Sequence, residues 1–388
     1  MSAEEAVEQR RLRGIDGLRA LAAMSVVGYH AWLYTMPQVS AVNRVTTGDY
    51  VWHELRLGLV LFFVLSGFLL YGPWVAAARG ERPPPSWRAF GVRRAARILP
   101  AYWLAIAGAI LLLWPHDGVP GVRLPPAHDL WLFAIFGQNF TEHTLLTLNP
   151  PTWTLAVEAM FYVVLPLLGA LAIMWRRPGT LLVPALFLIA GVAYNRAIAD
   201  HQELSLTVTK VLPAFTPYFA VGMAAAVFAR DRVLSRRMMW ALLGVGAVLV
   251  VGDGLWAAEG ASRGSHDLAL RVWRDLPAAT GFACWMVAVA AAPTPLRALV
   301  ARPVVWLGTV SYGIYLWHVP VFLMLRSHDL LPSSPFLALP IALPITLLLA
   351  AASWRWVERP AQTRARGFAR RLERRGTAPV VADAHAAA

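Results

Sequence analysis

Cysteine, lysine and charge are all scarce in this sequence. Its 388 residues hold one cysteine, Cys284, set in an apolar run. That excludes an internal disulfide, a cysteine-rich metal site and a dithiol redox centre, and it leaves packing as the plain role of the thiol. Lysine occurs once, at Lys210, so the other 34 basic residues are arginines. Charged residues make up 15 % of the chain and hydrophobic ones 58 %. Ordinary soluble domains have roughly 25 % and 45–50 %. A mean hydropathy of +0.53 agrees. The chain is too apolar for one or two water-soluble domains and reads as an all-α, polytopic membrane bundle. No Walker loop or HExxH motif is present, no internal repeat is evident, and no metal site is expected. The first apolar run, Leu18–Tyr34, is long for a signal core and lacks a small-residue cleavage pattern, so it is expected to be the first permanent span.

Ten apolar runs are long enough to cross a bilayer. They fall near 15–35, 55–78, 97–114, 155–174, 180–199, 212–230, 238–256, 275–292, 303–325 and 336–357. A shorter run, Leu130–Phe136, is interrupted by Gly137-Gln138-Asn139 and reads as re-entrant or interfacial. It belongs to the longest connection, about 115–152, a candidate lid or substrate platform. With the N-terminus inside, 24 basic residues fall in inner segments, seven in outer ones and four within or at the ends of spans. Cytoplasmic segments collect arginine and lysine, so both termini are placed in the cytoplasm of a plasma-membrane protein. The same distribution answers the nucleic-acid reading of a net charge of +13: the excess lies in loops and tail, and no nucleic-acid partner is expected. Residues 1–360 form the membrane domain. The tail 361–388 is basic and then Ala-rich, expected to be a surface helix followed by disorder, attracted to anionic membrane lipid.

Ionisable residues inside spans are costly and mark functional sites by default. The first span carries Asp16, Arg19 and His30. Arg19 and His30 are eleven residues apart, three turns plus about 20°, so they share a face with about 16 Å between them along the axis. Asp16 lies one turn before Arg19 and can pair with it. A neutral imidazole at that depth suits a general base on a hydroxyl, although His30 could equally bond a neighbouring helix, and Arg19 could snorkel to the interface. Glu158 sits near the outer end of the fourth span and needs a partner or a water-filled cavity. His30 is one possible partner, and Arg56 or Arg196 are the purely structural ones. Arg94 and Arg97 share a face one turn apart. They could grip phosphate, or simply anchor the helix on the positive side. His318 lies in the outer half of the ninth span, where structural and functional roles are balanced. Glu358-Arg359 at the inner surface reads as a local ion-pair lock.

Taken in order, these segments resemble the acyltransferase 3 family of bacterial integral-membrane acyltransferases. The matching residues are Asp16-Gly17-Leu18-Arg19 with His30, Phe62-Phe63-Val64-Leu65-Ser66-Gly67-Phe68, and Arg94-x-x-Arg97-Ile98-x-Pro100-x-Tyr102. They continue with Trp153-x-Leu155-x-Val157-Glu158-x-x-Phe161-Tyr162, Ser311-Tyr312-x-x-Tyr315-x-Trp317-His318 and Glu358-Arg359-Pro360. Each motif is weak alone; six in family order over residues 13–360 are specific. The resemblance implies an O-acyltransferase using cytoplasmic acyl-CoA as co-substrate, with no permanently bound cofactor. It implies that Arg19 and His30 are essential, that Arg94 and Arg97 hold CoA phosphates, and that Glu158 belongs to the active region. Ser66, Tyr102, Trp153, Tyr315 and His318 are expected, with Asp16, to support substrate or structure. Val60 and Ala159 stand where relatives commonly carry acidic residues, which puts any role for those positions in doubt.

The expected reaction moves an acetyl or short acyl group to a hydroxyl of an envelope glycan, glycolipid or secreted glycosylated metabolite. His30 acts as base and Glu158 orients or balances its ring. Direct transfer is preferred to a covalent intermediate. A proton-coupled transporter or flippase is the competing class, since buried Arg, His and Glu would also serve transport, but the missing inverted repeat argues against it.

Overall fold

A computed structural model describes residues 3–36, 47–119, 121–199, 201, 205–230, 232–262, 273 and 275–376. Among these, every regular element is helical. That follows from the composition, because a backbone crossing hydrocarbon must satisfy its own N–H and C=O groups. The helices are α1 (Ala3–Thr35), α2 (Thr47–Glu54), α3 (Leu57–Ala78), α4 (Trp87–Leu113), α5 (Leu130–Ala134), α6 (Trp153–Met174), α7 (Arg176–Ala199) and α8 (Leu212–Ala229). They continue as α9 (Arg236–Ser262), α10 (Leu276–Ala290), α11 (Arg297–Val300), α12 (Arg302–Thr309), α13 (Ser311–Ser327), α14 (Pro335–Ser353) and α15 (Arg359–Gly376).

Each expected span falls on a helix, but they are not ten equivalent crossings. Seven segments are long and apolar enough to cross a membrane: Gly48–Ala78, Trp87–His116, Pro150–Met174, Arg176–Ala199, Leu206–Ala229, Arg236–Glu259 and Pro335–Arg374. The pair α12 and α13 makes an eighth only if counted as one span, and it is bent by 71°. Helix α10 has 15 residues, about 22 Å at 1.5 Å per residue, against a hydrocarbon core of about 30 Å. Helix α1 carries Asp16 and Arg19 inside its apolar stretch. The run near 130–136 is a five-residue helix closed by Phe136 in the left-handed region, so it does not cross. The Ala-rich end of the tail, 377–388, lies outside the described residues.

Helix α1 runs through the middle of the bundle and packs against α3, α10, α12, α13 and α14. The outward faces of α7 and α9 stay apolar, with Leu186, Ile189, Val248, Val251 and Leu255 exposed, as expected of surfaces that meet lipid tails. Helices α3 and α8 touch backbone to backbone. A Cβ on Gly67 would strike the Phe219 carbonyl, and one on Gly222 the Val64 carbonyl. Small residues permit such contact, which in lipid replaces the hydrophobic drive that water would supply.

Loops gather at two ends. The turn after α3 meets the turn after α8 through the Arg230–Glu81 ion pair, and Leu234 N–H bonds the Ala291 carbonyl after α10 (2.9 Å). Arg93 of α4 pairs there with Glu373 of α15 (2.6 Å). At the other end Arg56 grips Asp275 (2.7 Å) and Glu54 (2.9 Å), and Trp32 Nε1–H donates to Asp49 (2.8 Å). The first is called the arginine-rich end below.

Candidate active site

A cavity of about 330 Å³ opens inside the bundle between α1, α3, α4, α6 and α13. Its polar wall has three arginines, Arg19, Arg94 and Arg97, with Ser66, Glu158, Tyr162 and Tyr312. Periodicity puts them there. Arg94, Arg97 and Ile98 recur at helical spacing and line one face of α4, while Arg93 turns away to Glu373. Arg19 Nη1 is held by Asp16 at 3.3 Å, the pair expected from their spacing. Arg94 lies 5.8 Å above the Phe90 ring and 6.0 Å from Tyr162, and its Nε is buried with no hydrogen-bond partner among the described residues. An unpaired buried guanidinium N–H is costly, so the cavity is set up to receive an acceptor oxygen.

Glu158 also faces this cavity. It takes hydrogen bonds from Ser66 Oγ (2.6 Å) and Tyr162 OH, and it is close enough to Arg94 for the charges to interact. The His30 partnership considered from depth is therefore replaced. One helical turn separates Glu158 from Tyr162, which brings the hydroxyl onto the carboxylate, while His30 lies beyond the cavity wall. Arg56, the structural alternative, is occupied by Asp275 and Glu54.

At its far side the cavity ends on Thr154 and Tyr315. Their hydroxyls are hydrogen-bonded to each other at 2.6 Å, and both lie within hydrogen-bonding distance of the Pro151 carbonyl (3.0 and 2.8 Å). One turn on, His318 is fully buried, its ring centroid 5.7 Å from that of Tyr315. His318 Nε2 is 3.2 Å from His30 Nδ1. Each Nδ1 also meets a carbonyl, Val26 O for His30 (2.9 Å) and Ile314 O for His318 (3.1 Å). A carbonyl only accepts, so in the neutral rings both Nδ1 atoms carry the proton. The one Nδ1 proton of His30 is then shared between Val26 O and His318 Nε2, and the lone pair of His30 Nε2 is left for another group.

The remaining expected residues divide. Tyr102 is in the core, stacked on Phe136 (4.4 Å between centroids). Trp153 sits beneath Lys210, with the ammonium 4.2 Å from its ring centroid, and its carbonyl accepts from Asn139 (2.8 Å). Both brace the 115–152 connection rather than line the cavity. The expected lock at the inner surface also differs: Glu358 is buried and accepts from Ser353 Oγ (3.0 Å). A π-helical turn, Trp354–Glu358, tucks it inward. Tyr162 and Tyr312 belong to the matching motifs but carry no role assigned from sequence, and Thr154 is not among the matching residues. Tyr162 and Thr154 stand four residues either side of Glu158, and that spacing is the available signal.

Residues 12–355 match the model of the family described as Acyltransferase domain (Acyl_transf_3). The chain belongs to this family. It is 26 % identical over 393 residues to the putative peptidoglycan O-acetyltransferase YrhL of Bacillus subtilis (strain 168), covering 94 % of this chain and 57 % of that protein. It is 25 % identical over 396 residues to O-acetyltransferase OatA of Staphylococcus aureus (strain NCTC 8325 / PS 47), covering 94 % and 59 %. With Nodulation protein 10 of Rhizobium leguminosarum bv. viciae the identity is 29 % over 380 residues, 92 % of this chain and 95 % of that protein. The chain thus spans less than two thirds of the first two relatives. No solved structure matches.

Proposed function

We propose that the protein is a membrane O-acyltransferase that moves an acetyl or short acyl group from acyl-CoA to a hydroxyl of a carbohydrate-containing acceptor. The observation that carries this reading is one cavity with three arginines at one side and, behind Tyr315 at the other, two histidines whose ring nitrogens meet at 3.2 Å. The family supports the reaction class, and the relatives named for peptidoglycan or O-acetyl transfer support a glycan acceptor. All ten apolar helices are read as embedded in the plasma membrane with both termini cytoplasmic, which puts the arginine-rich end on the side where acyl-CoA is found.

Arg94 and Arg97, helped by Arg19, bind the donor phosphates, since guanidinium forks match phosphate geometry. The pantetheine arm runs along the cavity toward Tyr315. The acceptor comes from the opposite end, and its hydroxyl gives its proton to His30 Nε2. The alkoxide oxygen bonds to the thioester carbonyl carbon, the C–S bond breaks, and the CoA sulfur leaves with the electron pair and takes up the proton. His318 holds the His30 ring. Glu158, bound by Ser66 and Tyr162, sets the charge facing Arg94 rather than serving His30.

Membranes containing the wild type or His30→Ala, supplied with labelled acetyl-CoA and longer acyl-CoAs, test this reading. His30-dependent label in a glycan, lipid or soluble glycosylated fraction is expected. Equal incorporation by the variant would remove the base, and no incorporation together with solute movement would favour a transporter.

A further inference from the structure

A second hollow lies away from the active-site cavity, between α7, α8, α9 and α10. At about 680 Å³ it is roughly twice as large. Its walls are built from small residues on α8 and α10, among them Ala220, Ala224 and Ala283, set against Leu188 and Leu242. Almost nothing polar faces it, so a hydrated polar ligand would lose its water without compensation. One charge stands at its mouth. Arg232 lies 5.7 Å over the Phe228 ring, and no carboxylate pairs with it among the described residues. Arg230, two residues earlier, is already taken by Glu81. Arg236 and Arg237 open α9 beside it, where the helix dipole adds further positive potential.

An apolar slot with a guanidinium at one end, paired by no carboxylate among the described residues, matches a long hydrocarbon chain with an anionic phosphate head. We propose that this groove seats an acyl chain of an anionic glycerophospholipid, with Arg232 taking the headgroup phosphate. Arg232 at the mouth favours an anionic head over a zwitterionic one. The site is separate from the acyl-transfer cavity and does not depend on that reading.

Nanodiscs of phosphatidylcholine containing the full chain and a trace of phosphatidylglycerol with a diazirine on its acyl chain test this. After irradiation, adducts are mapped by mass spectrometry. They are expected within 220–228 and 280–287, about fivefold above those from the matching phosphatidylcholine probe, the preference one arginine at a membrane surface confers. Arg232→Gln should abolish that preference, and Ala224→Leu should lower labelling by both probes. Equal labelling by the two probes, or adducts spread evenly along α7 and α9, would overturn the proposal. So would displacement of the label by a polyprenyl phosphate but not by phosphatidylglycerol. Should a variant fail to fold, the wild type gives a second test through Cys284, part of the groove wall. Phosphatidylglycerol added to detergent-solubilised protein should slow its modification by N-ethylmaleimide several-fold, and an unchanged rate would overturn the proposal.

Discussion

The two sides of the active-site region are built from opposite kinds of polar chemistry. At the arginine-rich side the groups are charged and held loosely. Arg19 has one carboxylate at 3.3 Å, and among the described residues Arg94 keeps a buried Nε without a partner. At the histidine side each ring is fixed by a carbonyl one turn earlier in its own helix, and the rings meet at 3.2 Å. Unsatisfied donors suit a site that gains its partners from a ligand. A fully bonded pair with one lone pair left over suits a site that must present a single atom in a fixed direction. The proposed donor-binding and proton-transfer groups are thus separated along α1, between Arg19 and His30.

Substitutions can break this separation or sharpen it. His30→Ala should have the largest effect, lowering transfer by at least about a hundredfold, as expected for removal of a general base. Donor affinity, measured by CoA binding to purified protein, should stay at the wild-type value, and a parallel loss would merge the two sides into one. Arg94→Gln and Arg97→Gln should each weaken CoA binding by about ten- to a hundredfold, the worth of a charge-assisted hydrogen bond. Transfer should largely recover at saturating donor; unchanged affinity in both variants would move the donor site elsewhere. His318→Ala should cost up to about tenfold in kcat, as for one net hydrogen bond, with donor affinity unmoved. A shift in KM alone would count against an orienting role. The smallest effect tests the frame: Gly222→Ala should destabilise the bundle by about 1–3 kcal/mol through overpacking. Its thermal unfolding should shift downward while activity per folded molecule stays the same, and an unaltered melting curve would mean that the α3–α8 contact relaxes freely.

The sequence made the helical elements and most of the site legible, for physical reasons. Apolar runs, arginine clusters and the eleven-residue interval in α1 are local patterns, and a regular helix converts them directly into position. Arg19 with Asp16, and Arg94 with Arg97, sit as spacing implied. What could not be read was contact between helices. Glu158 and His30 have similar depth, but depth says nothing about azimuth, and rotation of α6 turns Glu158 toward Ser66 instead. The meeting of His30 with His318 joins residues 288 positions apart and has no local signature. The span count was blurred for a related reason: hydropathy registers a run of apolar residues whether the chain continues straight or turns by 71° in the middle of it.

That bend also has a mechanical side. Where α12 passes α1, the backbones of Gly308 and Asp16 are in such close contact that a single methyl on Gly308 would collide with the Asp16 carbonyl. Two residues later the chain turns at Val310 and starts the helix that carries His318. Asp16 is also the residue that steadies Arg19. The elbow therefore joins the two sides by direct contact: the turn of α1 that holds Arg19 touches α12, and α12 leads through Val310 into the helix that carries His318.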